Sequence, residues 1–188
     1  GHLSHRIKEY FGDGSRWGVS LSYSEEREPQ GTAGALRVLK GNMTDDFLLL
    51  SGDVVMNFDV CRFIDAHVLK NDSVATVVIR ETLTPLHSDL VEIDDESRIT
   101  RIHLRPHTDA IPGKFGVASI YILSPRFFDF IPRDRKCDVE KDVFPEILRQ
   151  GAALYGYHTR EYIRDMGTPD RLTRVKADYE NGVIYHTA

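Results

Sequence analysis

Apolar residues recur at helical spacing over 3–11, where Leu3, Ile7, Tyr10 and Phe11 form one stripe before Gly12-Asp13-Gly14 ends it. Alternation over 19–23 predicts a strand. After a Gly-Thr-Ala-Gly segment, Ala35, Leu36, Val38 and Leu39 predict a helix running to Gly41. The run Phe47-Leu48-Leu49-Leu50 has strand length and leads into Ser51-Gly52-Asp53. Over 59–70, Val60, Phe63, Ile64, Ala66 and Val68 predict a helix closed by Asn71. Residues 74–79 are β-branched and apolar on both faces, as in a central strand covered by helices.

Two short strands between 90 and 102 flank Asp94-Asp95-Glu96-Ser97, a polar hairpin connection. A long apolar strand over 115–123 ends at Ser124-Pro125, and short helices are predicted over 126–131 and 142–150. A strand over 153–157, a shorter one over 162–164 and a helix over 168–179 complete the pattern, with Thr168 as cap and Pro169 in the first turn. Strands alternate with helices, so the pattern predicts α/β architecture in a single domain over 1–188.

Composition narrows the partners. The 188 residues are 41% hydrophobic and 28% charged, which describes a folding chain. A formal net charge of -5 disfavours a nucleic-acid polymer, although a local cluster such as Arg160 and Arg164 can still hold a small phosphate. Two cysteines, Cys61 and Cys137, without Cys-x-x-Cys spacing suggest neither a disulfide framework nor structural zinc, so a reducing, cytoplasmic setting is expected. No apolar run approaches bilayer length, and Gly1-His2-Leu3-Ser4-His5-Arg6 lacks the apolar stretch of a signal peptide, so no membrane is expected as a partner.

Three stretches carry candidate chemistry. In Glu28-Pro29-Gln30-Gly31-Thr32-Ala33-Gly34-Ala35-Leu36, glycines let backbone amides approach a base or phosphate closely, and they serve an ordinary turn or tight packing equally well. Neither a Gly-x-x-x-x-Gly-Lys-Ser/Thr loop nor a Gly-x-Gly-x-x-Gly fingerprint is present. Asp53 follows a buried strand, where ligands of open α/β sheets collect, or simply caps the turn. In Ile163-Arg164-Asp165-Met166-Gly167-Thr168-Pro169, Asp165 is its candidate partner, since hard carboxylate oxygens suit Mg2+ bridging phosphates. The eight histidines form no His-x-x-x-His pair on a helix, so His103, His107 and His158 are read as surface or strand residues. No Gly-x-Ser-x-Gly elbow occurs.

With these stretches, Glu9-Tyr10-Phe11-Gly12-Asp13-Gly14, Ile120-Tyr121-Ile122-Leu123-Ser124-Pro125 and Glu140-Lys141-Asp142-Val143-Phe144-Pro145 form an ordered set. In that set the chain resembles the sugar nucleotidyltransferase family, in its mannose-1-phosphate guanylyltransferase and glucose-1-phosphate thymidylyltransferase branch. The resemblance implies a Rossmann-like, mostly parallel mixed sheet flanked by helices. It also implies a transferase of nucleotide sugar biosynthesis, joining a nucleoside triphosphate to a sugar 1-phosphate and releasing pyrophosphate. By the same resemblance Glu28, Pro29, Gly31 and Thr32 face the nucleotide, while Asp53 and Asp165 are catalytic and hold Mg2+.

Two departures qualify the likeness. The family's Gly-Gly-x-Gly-Thr-Arg-Leu loop and its Pro-Lys-Pro stretch are absent, so the chain is expected to be truncated at its amino terminus and inactive alone. An apolar sheet edge left by a missing strand would invite pairing between copies, hence a possible homo-oligomer. Where the family carries Tyr-Gly-Val-Val, Glu-Lys-Pro and Asn-Ala-Gly around the sugar, this chain has Ser88-Asp89-Leu90-Val91, Leu104-Arg105-Pro106 and Val117-Ala118-Ser119. Arg105 is expected to replace a sugar-phosphate lysine. The alternative function is a non-catalytic relative that binds a nucleotide sugar and regulates or scaffolds a partner.

Overall fold

The computed structural model describes residues 1–82, 85–107 and 115–184, and of His87 the backbone alone. After helix α1 (Ser4–Phe11) and 3-10 turns at Ser15–Trp17 and Gly34–Leu39, the chain enters β1 (Phe47–Leu50), β2 (Val54–Asn57) and α2 (Val60–Val68). It continues through β3 (Ser73–Glu81), β4 (Leu90–Ile93), β5 (Ile99–His103) and β6 (Phe115–Leu123). Then come α3 (Phe144–Arg149), β7 (Ala153–His158), β8 (Tyr162–Asp165) and α4 (Pro169–Glu180).

Strand β6 is the spine of the main sheet. It pairs antiparallel with β3, from Ala75 opposite Leu123 to Glu81 opposite Phe115. Its second half also pairs with β1, Phe47 opposite Leu123 and Leu50 opposite Ile120, and its start pairs with β4. Strand β7 lies parallel to β3, and β4 forms a hairpin with β5. Strands β2 and β8 form a separate antiparallel ribbon.

The α/β class and the mixed sheet are borne out, with one correction to the expected strand directions. Strands β1, β3 and β7 run the same way, but among the described ladders only β3 with β7 is parallel, because β6 lies reversed against both β1 and β3. Strand β6 follows the β4–β5 hairpin rather than a crossover helix, and antiparallel neighbours need no such crossover.

Both sheet faces are covered, which explains the near-continuous apolar strands. Val77, Ile79, Tyr121 and Leu123 face one cluster with Leu36, Phe127, Phe144 and Ile147. Val78, Ile120 and Ile122, one residue out of step, face the other with Phe63 of α2 and Ile163 of β8. Asp59 caps α2 by accepting from the Arg62 amide, and Thr168 caps α4 by accepting from that of Arg171.

Local expectations fail where the backbone finds other partners. Residues 19–23 form no strand: the Val19 and Leu21 amides bond back to the carbonyls of Gly14 and Asp13, which closes a turn. The helix expected over 142–150 begins as a π-helical turn, Val139–Val143, with the Val143 amide on the Asp138 carbonyl. Pro145 then stands in the first turn of α3, where its missing N–H is tolerated. Strand β2 was not foreseen; its four residues are only half-buried and it borrows its partner from β8.

Strand β1 pairs on one edge only among the described ladders, and Leu48 and Leu50 are exposed. Among the described residues no helix is long and apolar enough to cross a membrane.

Candidate active site

The ribbon brings Asp53 and Asp165 together. Strand β1 ends at Leu50, the Ser51 amide bonds the Ser119 carbonyl, and the chain turns at Gly52-Asp53 out of the main sheet into β2. The register places Val54 opposite Asp165, and the Met166 amide donates to the Asp53 carbonyl at 2.8 Å. A Cβ built on Gly167 would meet Asp53 Oδ2 at 2.9 Å and Asp165 Oδ1 at 3.3 Å. Both carboxylates therefore border one small space that a glycine leaves open.

Asp165 is prepared to stay ionised. Partial burial works to raise its pKa, but the Gly167 amide at 2.8 Å and the Arg171 guanidinium at 2.9 Å outweigh it and hold it below the usual carboxylate range. Two hard oxygen donors beside an open space fit Mg2+, which is commonly held by one or two carboxylates together with substrate phosphates and water. No cluster of three or more His, Cys, Asp or Glu suited to a metal occurs among the described residues, so a closed all-protein cage is not offered there.

A cleft of about 390 Å³ opens beside Asp165. Ser88, Val117, Ala118 and Ser119, which stand in two of the three segments set against the family's sugar-pocket motifs, line it, and so do Arg80, Arg164, Arg171 and Arg174. Of the Arg160 and Arg164 cluster named from the sequence, Arg164 is in this lining, whereas Arg160 reaches Glu81 on the exposed surface at 3.5 Å. The others went unnoticed. The spacing of Arg171 and Arg174, three apart at the start of a capped helix, was a readable signal for a shared face.

The 28–32 segment is built differently from a free cradle. Glu28 and Pro29 are exposed. Gly31 has φ +81° and sits so close to the 137–138 backbone that an added Cβ would overlap the Cys137 carbonyl. Thr32 donates its amide to Asp138 Oδ1 at 3.0 Å, and its hydroxyl accepts the Val139 amide at 3.0 Å. The Ala33 and Gly34 amides both bond the Cys137 carbonyl at 3.1 Å. Most of these amides therefore clamp the segment to 137–139.

No hydrogen bond or ion pair among the described residues joins 28–32 to Asp53 or Asp165. Their connection runs through Glu140, which follows the clamped stretch. Its carboxylate accepts from Tyr121 at 2.5 Å and from Ser119 at 3.3 Å, and the Ser119 carbonyl holds Ser51. Ser119 takes φ +54°, a left-handed conformation that favours glycine.

Burial pushes the Glu140 pKa up, with Asp89 adding repulsion, against the lowering effect of Tyr121 and Ser119. An acid weakened by folding loses stability as pH rises from its unfolded value near 4.3 through its folded one. Glu140→Gln, which keeps an acceptor for Tyr121, is therefore expected to gain stability relative to wild type as pH rises through that window. Thermal melts of both proteins at pH 4 and pH 8 check this; a constant difference between them would refute it.

Arg105 is held by buried Asp89: its Nε and Nη2 lie 3.1 and 3.2 Å from the two carboxylate oxygens, and its amide lies 2.8 Å from Oδ1. Burial alone would raise the Asp89 pKa, but these bonds from Arg105 pull it below the usual range. The guanidinium is oriented, with its side chain 48% exposed, yet it is not part of the arginine-lined cleft. Among the histidines, His103 pairs with Glu92 and His107 donates to the Ser88 carbonyl, both as local supports. Buried His67, which drew no attention in the sequence, bridges Thr76 and Asp46.

Comparison with known proteins places the chain in a family. Over 178 residues the chain is 33% identical to a mannose-1-phosphate guanylyltransferase of Mycobacterium tuberculosis, covering 92% of this chain and 48% of that protein. It is 28% identical to a UTP--glucose-1-phosphate uridylyltransferase of Synechocystis, covering 82% of this chain and 43% of the relative. The chain thus spans about half the length of these curated relatives. A solved Bacillus anthracis structure, assigned as a glucose-1-phosphate thymidylyltransferase, superposes with a TM-score of 0.79 at 20% identity, over 93% of this chain and 71% of that one, and shares the fold. Residues 1–182 match the nucleotidyl transferase family along nearly the whole sequence, and the chain belongs to that family.

Proposed function

We propose that the protein containing this chain joins a nucleoside triphosphate to a sugar 1-phosphate, giving a nucleotide sugar and pyrophosphate. The observation that carries this reading is the meeting of Asp53 and Asp165 about Gly167, with Asp165 in the lining of an arginine-rich cleft. The names of the curated relatives, a guanylyltransferase and a uridylyltransferase acting on sugar 1-phosphates, support the same reaction class.

The reaction needs alignment more than proton transfer. An ionised oxygen of the sugar phosphate attacks the α-phosphorus, a new P–O bond forms, and the bond to the β-phosphate breaks to release pyrophosphate. Asp53 and Asp165 are the residues that would hold Mg2+, which supplies positive charge against the phosphate oxygens when bound. Arg171 keeps Asp165 ionised and, with Arg174, adds fixed positive charge on the same side. Half-exposed Arg105, aimed by Asp89, is the candidate contact for the sugar phosphate. Glu28, Pro29, Gly31 and Thr32 form the candidate nucleotide contact, with the clamp to 137–139 fixing the segment's shape. The free thiols Cys61 and Cys137 fit a cytoplasmic setting.

The intact protein, given nucleoside triphosphates and sugar 1-phosphates, is expected to release pyrophosphate only with a divalent cation present. Turnover that persists undiminished in excess chelator would overturn the metal assignment. Tight nucleotide-sugar binding with no turnover in any combination would replace the enzyme with a regulator.

A further inference from the structure

The cleft beside Asp165 holds more positive charge than its surroundings balance. Asp165 is the one carboxylate among its described lining residues, and it is paired with Arg171. Arg164 reaches Asp178 only at 3.8 Å, and Asp178 already accepts from the Tyr162 hydroxyl at 2.8 Å. Arg174 has no hydrogen-bond or ion-pair partner among the described residues, and Arg80 has only the Ile163 carbonyl, a neutral acceptor. This occurs in a chain of net charge -5, so the excess is local to the cleft.

Arg80 is the informative member. It is half-buried at the end of β3, where burial and then the repulsion of Arg164 make its charged form harder to keep. A partly buried guanidinium repelled by a second one, and itself without a carboxylate partner among the described residues, destabilises the free protein, and an anion bound between the two would offset that cost.

Its position separates it from the reacting phosphate. Arg80 is anchored at Ile163, two residues before Asp165 along the extended strand β8, which is about 7 Å. A 1-phosphate placed near Asp53 and Asp165 leaves the sugar ring to extend across this distance. Thr82, Ser88, Gly116 and Val117 line the same cleft, with Gly116 opposite Arg80 in the β3–β6 ladder and the Thr82 and Ser88 side chains beside Gly116.

Resting on the reading of a sugar 1-phosphate acceptor, we propose that Arg80 and Arg164 form a subsite for a second anionic group on that sugar. The acceptor is then a doubly anionic sugar, either a sugar bisphosphate or a uronic acid 1-phosphate. Both guanidiniums suit either group, because their planar forks bind phosphate and carboxylate alike.

Calorimetry on the intact protein with Mg2+ tests this, using glucose 1-phosphate, glucose 1,6-bisphosphate and glucuronic acid 1-phosphate as probes. At least one doubly anionic probe is expected to bind about tenfold or more tightly than glucose 1-phosphate, and which one does so identifies the group. Arg80→Gln/Arg164→Gln is expected to bring that ratio close to one. Arg164→Gln alone, at the less buried position, should reduce it if the double variant does not fold. Equal affinity for all three probes, or a preference that survives substitution, overturns the second-anion subsite while leaving the acceptor reading in place. Failure of all three to bind removes both.

Discussion

Asp53→Ala and Asp165→Ala should each lower pyrophosphate release by about 100-fold or more, the scale on which loss of one preorganised charge-stabilising contact is felt. The two carboxylates border the same space over Gly167, so either substitution leaves a single acidic ligand there. The effects are expected to be far from additive, since residues that act as one unit lose most of their effect with the first deletion. Asp165→Ala also removes the acceptor for the Gly167 amide and the partner of Arg171, so its defect mixes structure with chemistry. Asp165→Asn separates them: it retains an oxygen for Gly167 but lacks the negative charge. A metal-ligand role requires the asparagine variant to be nearly as inactive as alanine while melting close to wild type. Turnover within about threefold of wild type in either alanine variant would sink the assignment, because that corresponds to less than about 1 kcal/mol of transition-state stabilisation.

Gly31→Ala is expected to be the most damaging small substitution for stability, costing about 3 kcal/mol in urea unfolding. Two causes add. The residue has φ +81°, where a Cβ is disfavoured by about 1–2 kcal/mol. That Cβ would also overlap the Cys137 carbonyl, the atom that accepts the Ala33 and Gly34 amides, and the cost of such overpacking is typically about 1–3 kcal/mol. Relief requires 137–138 to move away, which would strain the Thr32 bonds to Asp138 and Val139. Gly52→Ala, where an added Cβ meets nothing and φ is not left-handed, is the matched control and should change stability by less than about 0.5 kcal/mol. Equal effects at the two positions would refute the close-approach explanation.

The readable parts of the chain share a physical origin. Strand β1 over Phe47–Leu50 and strand β6 over Phe115–Leu123 were foreseen at their observed bounds, since apolar runs of strand length stand between Gly, Asp, Ser and Pro; β6 is the interior strand that such a run implies, whereas β1 pairs on one edge only among the described ladders and leaves Leu48 and Leu50 exposed. The capped helix after Thr168 was equally legible, because its cap and proline act locally. Residues 19–23 carried a strand-like alternation as well, but their amides found nearer acceptors in Gly14 and Asp13. Strand β2 was illegible for the opposite reason: four half-buried residues become a strand only because β8 supplies the ladder.

The site divides along the same line. Asp53 and Asp165 were identifiable as residues from their strand-end contexts, but the register of β2 against β8, a long-range pairing, is what brings their carboxylates around Gly167. Thr32 was expected to face a nucleotide, and folding gives its amide and hydroxyl a second task at Asp138 and Val139 that no local pattern announced. Arg80 drew no attention in the sequence, and its bond to the Ile163 carbonyl of β8 sets it in the same cleft wall as Arg164, Arg171 and Arg174.

From the amino-acid order alone came the α/β class, most of the strands and helices, and the identities of the two acidic residues. These depend on burial periodicity and on caps that act within a few residues. Only the tertiary structure decided the reversed direction of β6, the convergence of the carboxylates and the surplus of guanidiniums in the cleft. Each of those depends on which distant segments share a ladder or a wall, and the energy of such contacts is a property of the assembled chain.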